Sequence, residues 1–155
     1  MKYVKLIGIL LIAAILQISI MPNFGIKLAY PNLILIGLII LAINNRRDES
    51  LVWLLIGGLI LDFYSPLRFG AITLSLLIIF VIVYLIFTKF ISETIFPFVI
   101  LAFFISSIIY DLVPFFTINK NMMLLFYNAL YNTIVGVSLY YLIGNIKPNN
   151  NPYRL

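Results

Sequence analysis

Long apolar runs separated by short polar breaks occupy almost the whole of this 155-residue chain. The runs lack the alternation of apolar and polar residues that a membrane β-barrel requires, so they predict α-helices. The approximate bounds of the predicted spans are residues 4–21, 28–44, 51–64, 71–87, 95–116 and 122–143. The pattern therefore predicts an all-α integral membrane protein, a compact bundle of six transmembrane helices over residues 1–144.

The breaks contain the residues that usually end or begin helices. Pro22 and Gly25 end the first run, and no small-residue cleavage site follows it, so we interpret it as a retained first span. In the segment Asn45–Ser50, two arginines precede two acidic residues, which is the order that helix dipoles favour at a turn between antiparallel helices. Residues 145–155 contain two prolines and three consecutive asparagines, and they predict a flexible cytoplasmic tail.

The second run is short for a bilayer, which needs about 20 apolar residues. Pro31 suits the first turn of a helix because the missing N–H group of proline has no partner there. Three explanations are open. The span extends back towards Ile26, the membrane thins locally, or surrounding protein shields the outer end.

Composition agrees with lipid as the solvent, since 64% of the residues are hydrophobic and 10% are charged. A soluble domain of this length could not bury so much apolar surface. The formal charge of +5 comes from basic residues isolated at the ends of the runs, which indicates headgroup anchors and not a nucleic-acid surface.

Candidate chemistry is sparse, because the chain contains no Cys and no His. That excludes thiol catalysis, disulfides and the usual zinc sites. The five acidic residues are scattered, and Ser106–Ser107 has no His or Lys base in the same membrane layer. We therefore predict no enzyme activity, no metal site and no cofactor.

The orientation follows from the basic residues, which favour the cytoplasmic side. If the N-terminus is cytoplasmic, seven of the ten Lys and Arg residues fall inside: Lys2, Lys5, Arg46, Arg47, Lys89, Lys147 and Arg154. The outer loops then hold Lys27, Arg68 and Lys120. We predict a multi-pass membrane protein with both termini in the cytoplasm.

Polar residues within apolar runs are informative because each one is costly in lipid unless it is satisfied. Asp62, near the outer end of the third span, either balances Arg68 at the interface or belongs to an outward-facing pocket or partner seat. Asn128 and Asn132 are four residues apart and share one helical face, at the expected depth of Asp111. We predict hydrogen bonds between Asp111 and this face. Ordinary helix packing is the favoured role of the asparagines, and the role of Asp111 stays open.

Four features stand out in residues 31–75: Pro31-Asn32-Leu33 opens a predicted helix, Arg46-Arg47 lies at a turn, Gly58-Leu59-Ile60-Leu61-Asp62-Phe63-Tyr64-Ser65 follows, and Gly70 opens the next helix. Together these features resemble the pattern of the MreD family of rod-shape-determining proteins. Asn32 stands where the family also uses Asp, which removes one charge. The length and the number of spans extend the resemblance to the whole chain.

The resemblance implies a role and not a reaction. MreD-like proteins act in the membrane with an MreC-like protein and with a RodA-type glycosyltransferase and its transpeptidase, and indirectly with the MreB filament, to direct lateral peptidoglycan synthesis. By the same resemblance, the outer ends of the second to fourth spans are shaped by Pro31, Gly58, Asp62, Ser65 and Gly70. Our hypothesis is that Asp62 caps and orients the loop from Ser65 to Gly70, and that Arg68 contributes to a partner seat.

The competing interpretation is the substrate-binding subunit of an energy-coupling-factor vitamin transporter, which resembles MreD-like proteins in architecture. Asp62, Arg68, Asp111 and Lys120 would then line an outer pocket. The outer loops are short and contain no obvious lid, so this alternative ranks second.

Overall fold

In the computed structural model, the described residues are 2–24, 29–90, 96–118 and 122–143. They form no β-strand and six α-helices, which are α1 (Lys2–Ser19), α2 (Leu33–Ile43), α3 (Arg47–Tyr64), α4 (Ala71–Leu85), α5 (Phe96–Ile118) and α6 (Met122–Ile143). A 3-10 turn follows α1, and a π-helical turn, Ile86–Phe90, extends α4. The all-α prediction is confirmed. The predicted tail, Lys27 and Lys120 lie outside the described residues.

Helix α2 is the centre of the bundle, because it contacts each of the other five helices. Eight of its eleven residues are buried. At a rise of about 1.5 Å per residue the helix is roughly 16 Å long, well short of the roughly 30 Å hydrocarbon core of a bilayer. Of the three explanations for the short second run, shielding by surrounding protein fits this arrangement.

The start of α2 is set by Asn32 and not by Pro31. Asn32 is the N-cap, and its side chain accepts a hydrogen bond of 3.0 Å from the backbone N–H of Leu35. Residues 29–32 are not helical, so Pro31 precedes the cap instead of occupying the first helical turn. The expectation for Pro31 was wrong because the Asn32 side chain supplies the partner that the first amides need.

The turn between α2 and α3 is tight. Asn45 adopts a left-handed conformation with φ of 56°, and the N–H of Arg46 donates to the carbonyl of Leu41 at 3.0 Å. The Arg46 guanidinium also pairs with Glu49 at 3.0 Å. Because acidic residues suit the positive end of the helix dipole, α3 begins at Arg47, four residues before the predicted apolar span.

Two adjacent glycines let α3 approach both of its neighbours. A Cβ atom on Gly57 would lie 2.8 Å from Ile34 Cγ2 on α2, and one on Gly58 would lie 2.8 Å from Thr73 Oγ1 on α4. Such short distances leave no room for a side chain unless the facing side chain or its helix shifts. The pair therefore sets how closely α3 packs, and Gly58 lies one turn before Asp62.

The exterior of the bundle is apolar. Large hydrophobic side chains such as Val4, Leu74 and Leu142 are 74%, 59% and 82% exposed. Within the described ranges, three helical stretches are long and apolar enough to cross a membrane: Ala71–Phe90, Phe96–Phe116 and Met122–Ile143. In water such a surface would aggregate, whereas lipid tolerates it. The fold is consistent with a membrane protein.

Candidate functional site

A cavity of about 450 Å³ opens at one end of the bundle. We call this the pocket end, where α1, α3 and α5 finish and α2, α4 and α6 begin. Residues from all six helices or their flanks line the cavity. Its polar wall includes Gln17, Asn32, Tyr110, Asp111, Asn128 and Asn132. Polar groups in otherwise apolar helices therefore converge on one site.

The floor of the cavity is the beginning of α2, whose first amides have side-chain partners. The N–H of Asn32 donates to Asn132 Oδ1, and the N–H of Leu33 donates to Gln17 Oε1, each at 2.6 Å. The first amides of a helix have no partner within the helix, and leaving them unsatisfied inside an apolar bundle is costly. The hydrogen bonds from the Gln17 and Asn132 side chains, on α1 and α6, therefore offset the cost of burying the first amides of α2.

Asn132 connects three helices. Besides accepting from α2, it donates through Nδ2 to Ser107 Oγ on α5 at 2.6 Å. The hydroxyl of Tyr110, one turn further along α5, interacts with the side chain of Asn32. These contacts form one hydrogen-bonded network across α2, α5 and α6.

The predicted hydrogen bonds between Asp111 and the two asparagines are wrong. Among the described residues, neither Asn128 nor Asn132 bonds to Asp111. The two ends of the Asn132 amide already bond to the α2 backbone and to Ser107. Asp111 is 6% exposed, lines the cavity and has other interactions.

Asn128 lies one turn nearer the pocket end than Asn132 and also lines the cavity. Its Oδ1 atom is buried and has no hydrogen-bond partner among the described residues. A buried acceptor without a partner is uncommon in folded proteins and calls for an explanation.

Asp62 caps a helix other than its own. Its Oδ1 accepts from the N–H of Ile72 at 2.9 Å, and its Oδ2 accepts from the N–H and the hydroxyl of Thr73 at 3.1 and 2.5 Å. The cap position of α4 itself is Gly70, which has no side chain and a φ of 90°. Asp62 therefore supplies the missing cap from α3, where the dipole of α4 favours a carboxylate.

The loop from Ser65 to Gly70 is held by local hydrogen bonds. Ser65 Oγ accepts from the N–H of Leu67 at 3.1 Å, and the Arg68 carbonyl accepts from the N–H of Ala71 at 3.0 Å. One prediction was that the charges of Asp62 and Arg68 balance each other at the membrane interface, and the position of the Asp62 carboxylate does not agree with it. Within the described part of the chain Asp62 forms no ion pair, and its carboxylate is occupied by the start of α4.

Within this loop Arg68 is exposed, as are two nearby aromatic residues. Phe63 and Phe69 are 75% and 63% exposed, and their rings contact edge to face with centroids 5.1 Å apart. We call Phe63, Arg68 and Phe69 the loop surface. It lies at the pocket end and comprises the last turn of α3 and the loop that follows.

The structure sorts the predicted site residues into two groups. The first lines the cavity and comprises Asn32, Ser65, Asp111, Asn128 and Asn132. The second joins α3 to α4 and comprises Gly58, Asp62, Arg68 and Gly70. Pro31 is buried beside the cap of α2 and joins neither group.

Sequence reasoning missed Gln17, Ser107, Tyr110 and Thr73 as contributors to the site. Gln17 had a usable signal, since it is a polar residue inside the apolar run from Leu6 to Ile20. Ser107 and Thr73 had none, because small hydroxyl residues commonly bond back to their own helix. Over the described ranges, no group of three or more acidic residues could hold a metal ion. The arrangement is suited to binding through hydrogen bonds.

The comparison with known families agrees with the resemblance of residues 31–75 and extends it. A family model described as rod shape-determining protein MreD matches residues 1–146. No curated protein and no solved structure matches the chain. The family match includes every helix and both groups of site residues. The chain therefore belongs to the MreD family of rod shape-determining proteins.

Proposed function

We propose that this chain is a non-catalytic membrane component of the bacterial cell-elongation machinery. The observation that carries the proposal is the family match over residues 1–146, which places the chain in rod-shape determination. In this proposal it regulates lateral peptidoglycan synthesis by contacting an MreC-like protein and a RodA-type glycosyltransferase with its transpeptidase. The MreB filament is coupled indirectly through these partners.

The surface of the bundle limits how such contacts are made. Over the described residues its exterior is made largely of apolar helix faces, so partners bind helix faces or loops. The loop surface combines exposed aromatic rings with a cation, and aromatic residues and Arg dominate the energetics of protein interfaces. We propose the loop surface as one partner seat.

Membrane placement is part of the same proposal. The six helices lie in the cytoplasmic membrane, with the short helix α2 enclosed by the others, and both termini lie in the cytoplasm. The distribution of Lys and Arg supports this orientation. The cavity and the loop surface then face outward.

The test of function is affinity purification of a tagged, full-length copy from native membranes in mild detergent, followed by mass spectrometry. We expect an MreC-like protein or a RodA-type synthase. Recovery of an ATPase with a membrane coupling subunit would overturn the proposal in favour of the vitamin-transporter alternative, which gains no support from the family match.

The partner seat is tested separately with Arg68→Ala and a matched control, Arg47→Ala. Both arginines are exposed, and they flank opposite ends of α3. We expect Arg68→Ala to reduce partner recovery about tenfold, the effect of roughly 1.4 kcal/mol, and Arg47→Ala to leave recovery unchanged. Equal recovery of partner with both variants would show that the loop surface is not the seat.

A further inference from the structure

We propose that a groove between α4 and α5 binds an anionic phospholipid, with one acyl chain in the groove and the headgroup beside Lys89. The inference rests on the membrane placement proposed above and not on either protein partner. It concerns a lipid site, separate from the cavity and the loop surface, that the role in cell elongation does not itself require.

The groove runs between two of the helical stretches that are long enough to cross a membrane. Its lining extends from Ile79 to Phe87 on α4 and its π-helical turn, and from Phe98 to Ile109 on α5, and we call it the α4–α5 groove. The α5 side is roughly 16 Å long at a rise of about 1.5 Å per residue. The groove is therefore about half as long as the roughly 30 Å hydrocarbon core of a bilayer is thick.

The groove has a buried floor and an exposed rim. Ile79, Val83 and Phe87 are buried in its floor. Large apolar side chains from both helices, each 36% to 49% exposed, form the rim: Ile82, Ile86, Phe98, Leu101 and Ile105. A groove of this shape is open to the surroundings of α4 and α5, and in the proposed placement those surroundings are lipid.

The lining favours a hydrocarbon occupant. Of the described residues that line the groove, Ser106 is the only polar one, and it is 2% exposed. A polar ligand would lose its hydrogen bonds to water in such a groove without replacing them. An acyl chain, in contrast, gains dispersion contacts with the apolar walls.

The size of the groove distinguishes an acyl chain from a helix of a partner protein. Its volume is about 170 Å³. A helix with its side chains is about 10 Å across, so it would contact the rim but could not enter. An unbranched chain can lie along the groove and reach the floor.

The headgroup preference comes from Lys89, which is exposed and lies in the π-helical turn after α4. It follows Ile86 and Phe87 of the lining by three and two residues. Within the described residues it forms no ion pair. Because lysine at a helix end extends towards the membrane interface, its ammonium group can attract the phosphate of a lipid whose chain lies in the groove.

The first experiment compares two lipids with identical acyl chains. Full-length protein in detergent is mixed with phosphatidylglycerol or phosphatidylcholine, and retained lipid is counted by native mass spectrometry. We expect about fivefold greater retention of phosphatidylglycerol, which corresponds to the roughly 1 kcal/mol that one basic residue gains near an anionic membrane surface. Equal retention of the two lipids would overturn the proposal.

A charge variant tests the headgroup position. Lys89→Gln should remove the preference for phosphatidylglycerol. Lys5→Gln is the matched control, because Lys5 is exposed near the start of α1, at the same end of the bundle. The control should keep the preference, and an equal loss in both variants would mean that overall charge and not Lys89 selects the lipid.

A second variant tests the position of the acyl chain. Ala102→Leu enlarges a side chain in the groove lining, and we expect it to lower retention of both lipids several-fold. Ala13→Leu on α1 is the control, because Ala13 and Ala102 are both partly buried and packed against the core. Unchanged retention in a folded Ala102→Leu protein, as judged by thermal unfolding, would exclude the groove.

Photo-crosslinking of the unsubstituted protein keeps the test decisive if Ala102→Leu does not fold. Phosphatidylglycerol with a photoreactive group within one acyl chain is bound and irradiated, and the attachment sites are mapped by mass spectrometry. We expect attachment to groove residues of α4 and α5, and attachment mainly to α1 or α6 would overturn the inference. Partner recovery from native membranes is measured independently, so failure of the lipid site is distinguishable from failure of the proposed role in cell elongation.

Discussion

Asp62 is a buried carboxylate whose three hydrogen bonds all go to the first turn of another helix. A charged group inside an apolar bundle invites interpretation as a ligand or partner site. Its geometry shows a structural task, since the α4 dipole and the donors of Ile72 and Thr73 satisfy the carboxylate. Any influence of Asp62 on partners acts through the position of the loop that it helps to fix.

The first prediction concerns Asp62→Asn. The change replaces one acceptor oxygen with an NH₂ group that faces donors, so we expect the free energy of unfolding to fall by about 1–3 kcal/mol. Denaturant unfolding of the purified protein in detergent measures this. The control Asp48→Asn, at an exposed position, should change it by less than about 0.5 kcal/mol. Equal values for both variants would exclude a capping contribution.

A second residue, Asn132, is predicted to be important for stability because of its two interhelical bonds. Asn132→Leu leaves the N–H of Asn32 and the hydroxyl of Ser107 without this partner, and we expect a loss of about 1–3 kcal/mol. Thermal unfolding in detergent is the readout. Ser138→Ala on the same helix is the control, since among the described residues that exposed hydroxyl bonds to the carbonyl of Ile134 alone. A destabilisation no larger than that of the control would contradict the network.

The sequence identified most of these polar residues but not their partners. Asp62, Asp111 and Asn132 are conspicuous because they interrupt apolar runs. The partner of Asn132 lies 100 positions away, and the carboxylate of Asp62 reaches ten positions forward across a loop. Such pairings depend on which helix faces meet and at what depth, and helix periodicity alone does not specify that.

At the scale of helices, the hydropathy pattern predicted where each helix lies but placed the helix ends less accurately. Helix α2 begins at Leu33, five residues after the predicted start of the second span, and α3 begins at Arg47, four residues before its predicted apolar span. An apolar run ends where side chains become polar. A helix, in contrast, ends where a cap or a turn satisfies its backbone groups. Asn32 caps the start of α2 and Asn45 forms the turn after it, and both residues lie at or beyond the edges of the apolar runs.

Gly58 gives the prediction that belongs to this scale. In Gly58→Ala the new Cβ would lie 2.8 Å from Thr73 Oγ1 and 3.0 Å from its Cα, so α3 and α4 must separate and the bonds of Asp62 lengthen. We expect about 1–3 kcal/mol of destabilisation. Gly8→Ala is the matched control, because its Cβ would meet nothing within 4 Å. Thermal unfolding of the two variants should differ clearly, and similar values would mean that the helices do not depend on this close approach.

For the molecule as a whole, the sequence specified an all-α chain but not which helix is central. Lipid-facing and protein-facing positions are both apolar in a membrane bundle, so composition does not separate them. Helix α2 is enclosed because its neighbours supply partners for its first amides, through Gln17 and Asn132. The cavity above it arises from the same convergence of polar groups.

The orientation of the bundle is the last prediction, and the absence of cysteine from the chain makes it directly measurable. Arg68→Cys and Asp48→Cys each introduce one thiol at an exposed position, at the pocket end and at the opposite end of α3. Because basic residues favour the cytoplasmic side, we expect a membrane-impermeant maleimide to label Arg68→Cys in intact spheroplasts and Asp48→Cys only after permeabilisation. The reverse labelling pattern would place the cavity and the loop surface on the cytoplasmic side. From there they could not contact partners on the outer side of the membrane.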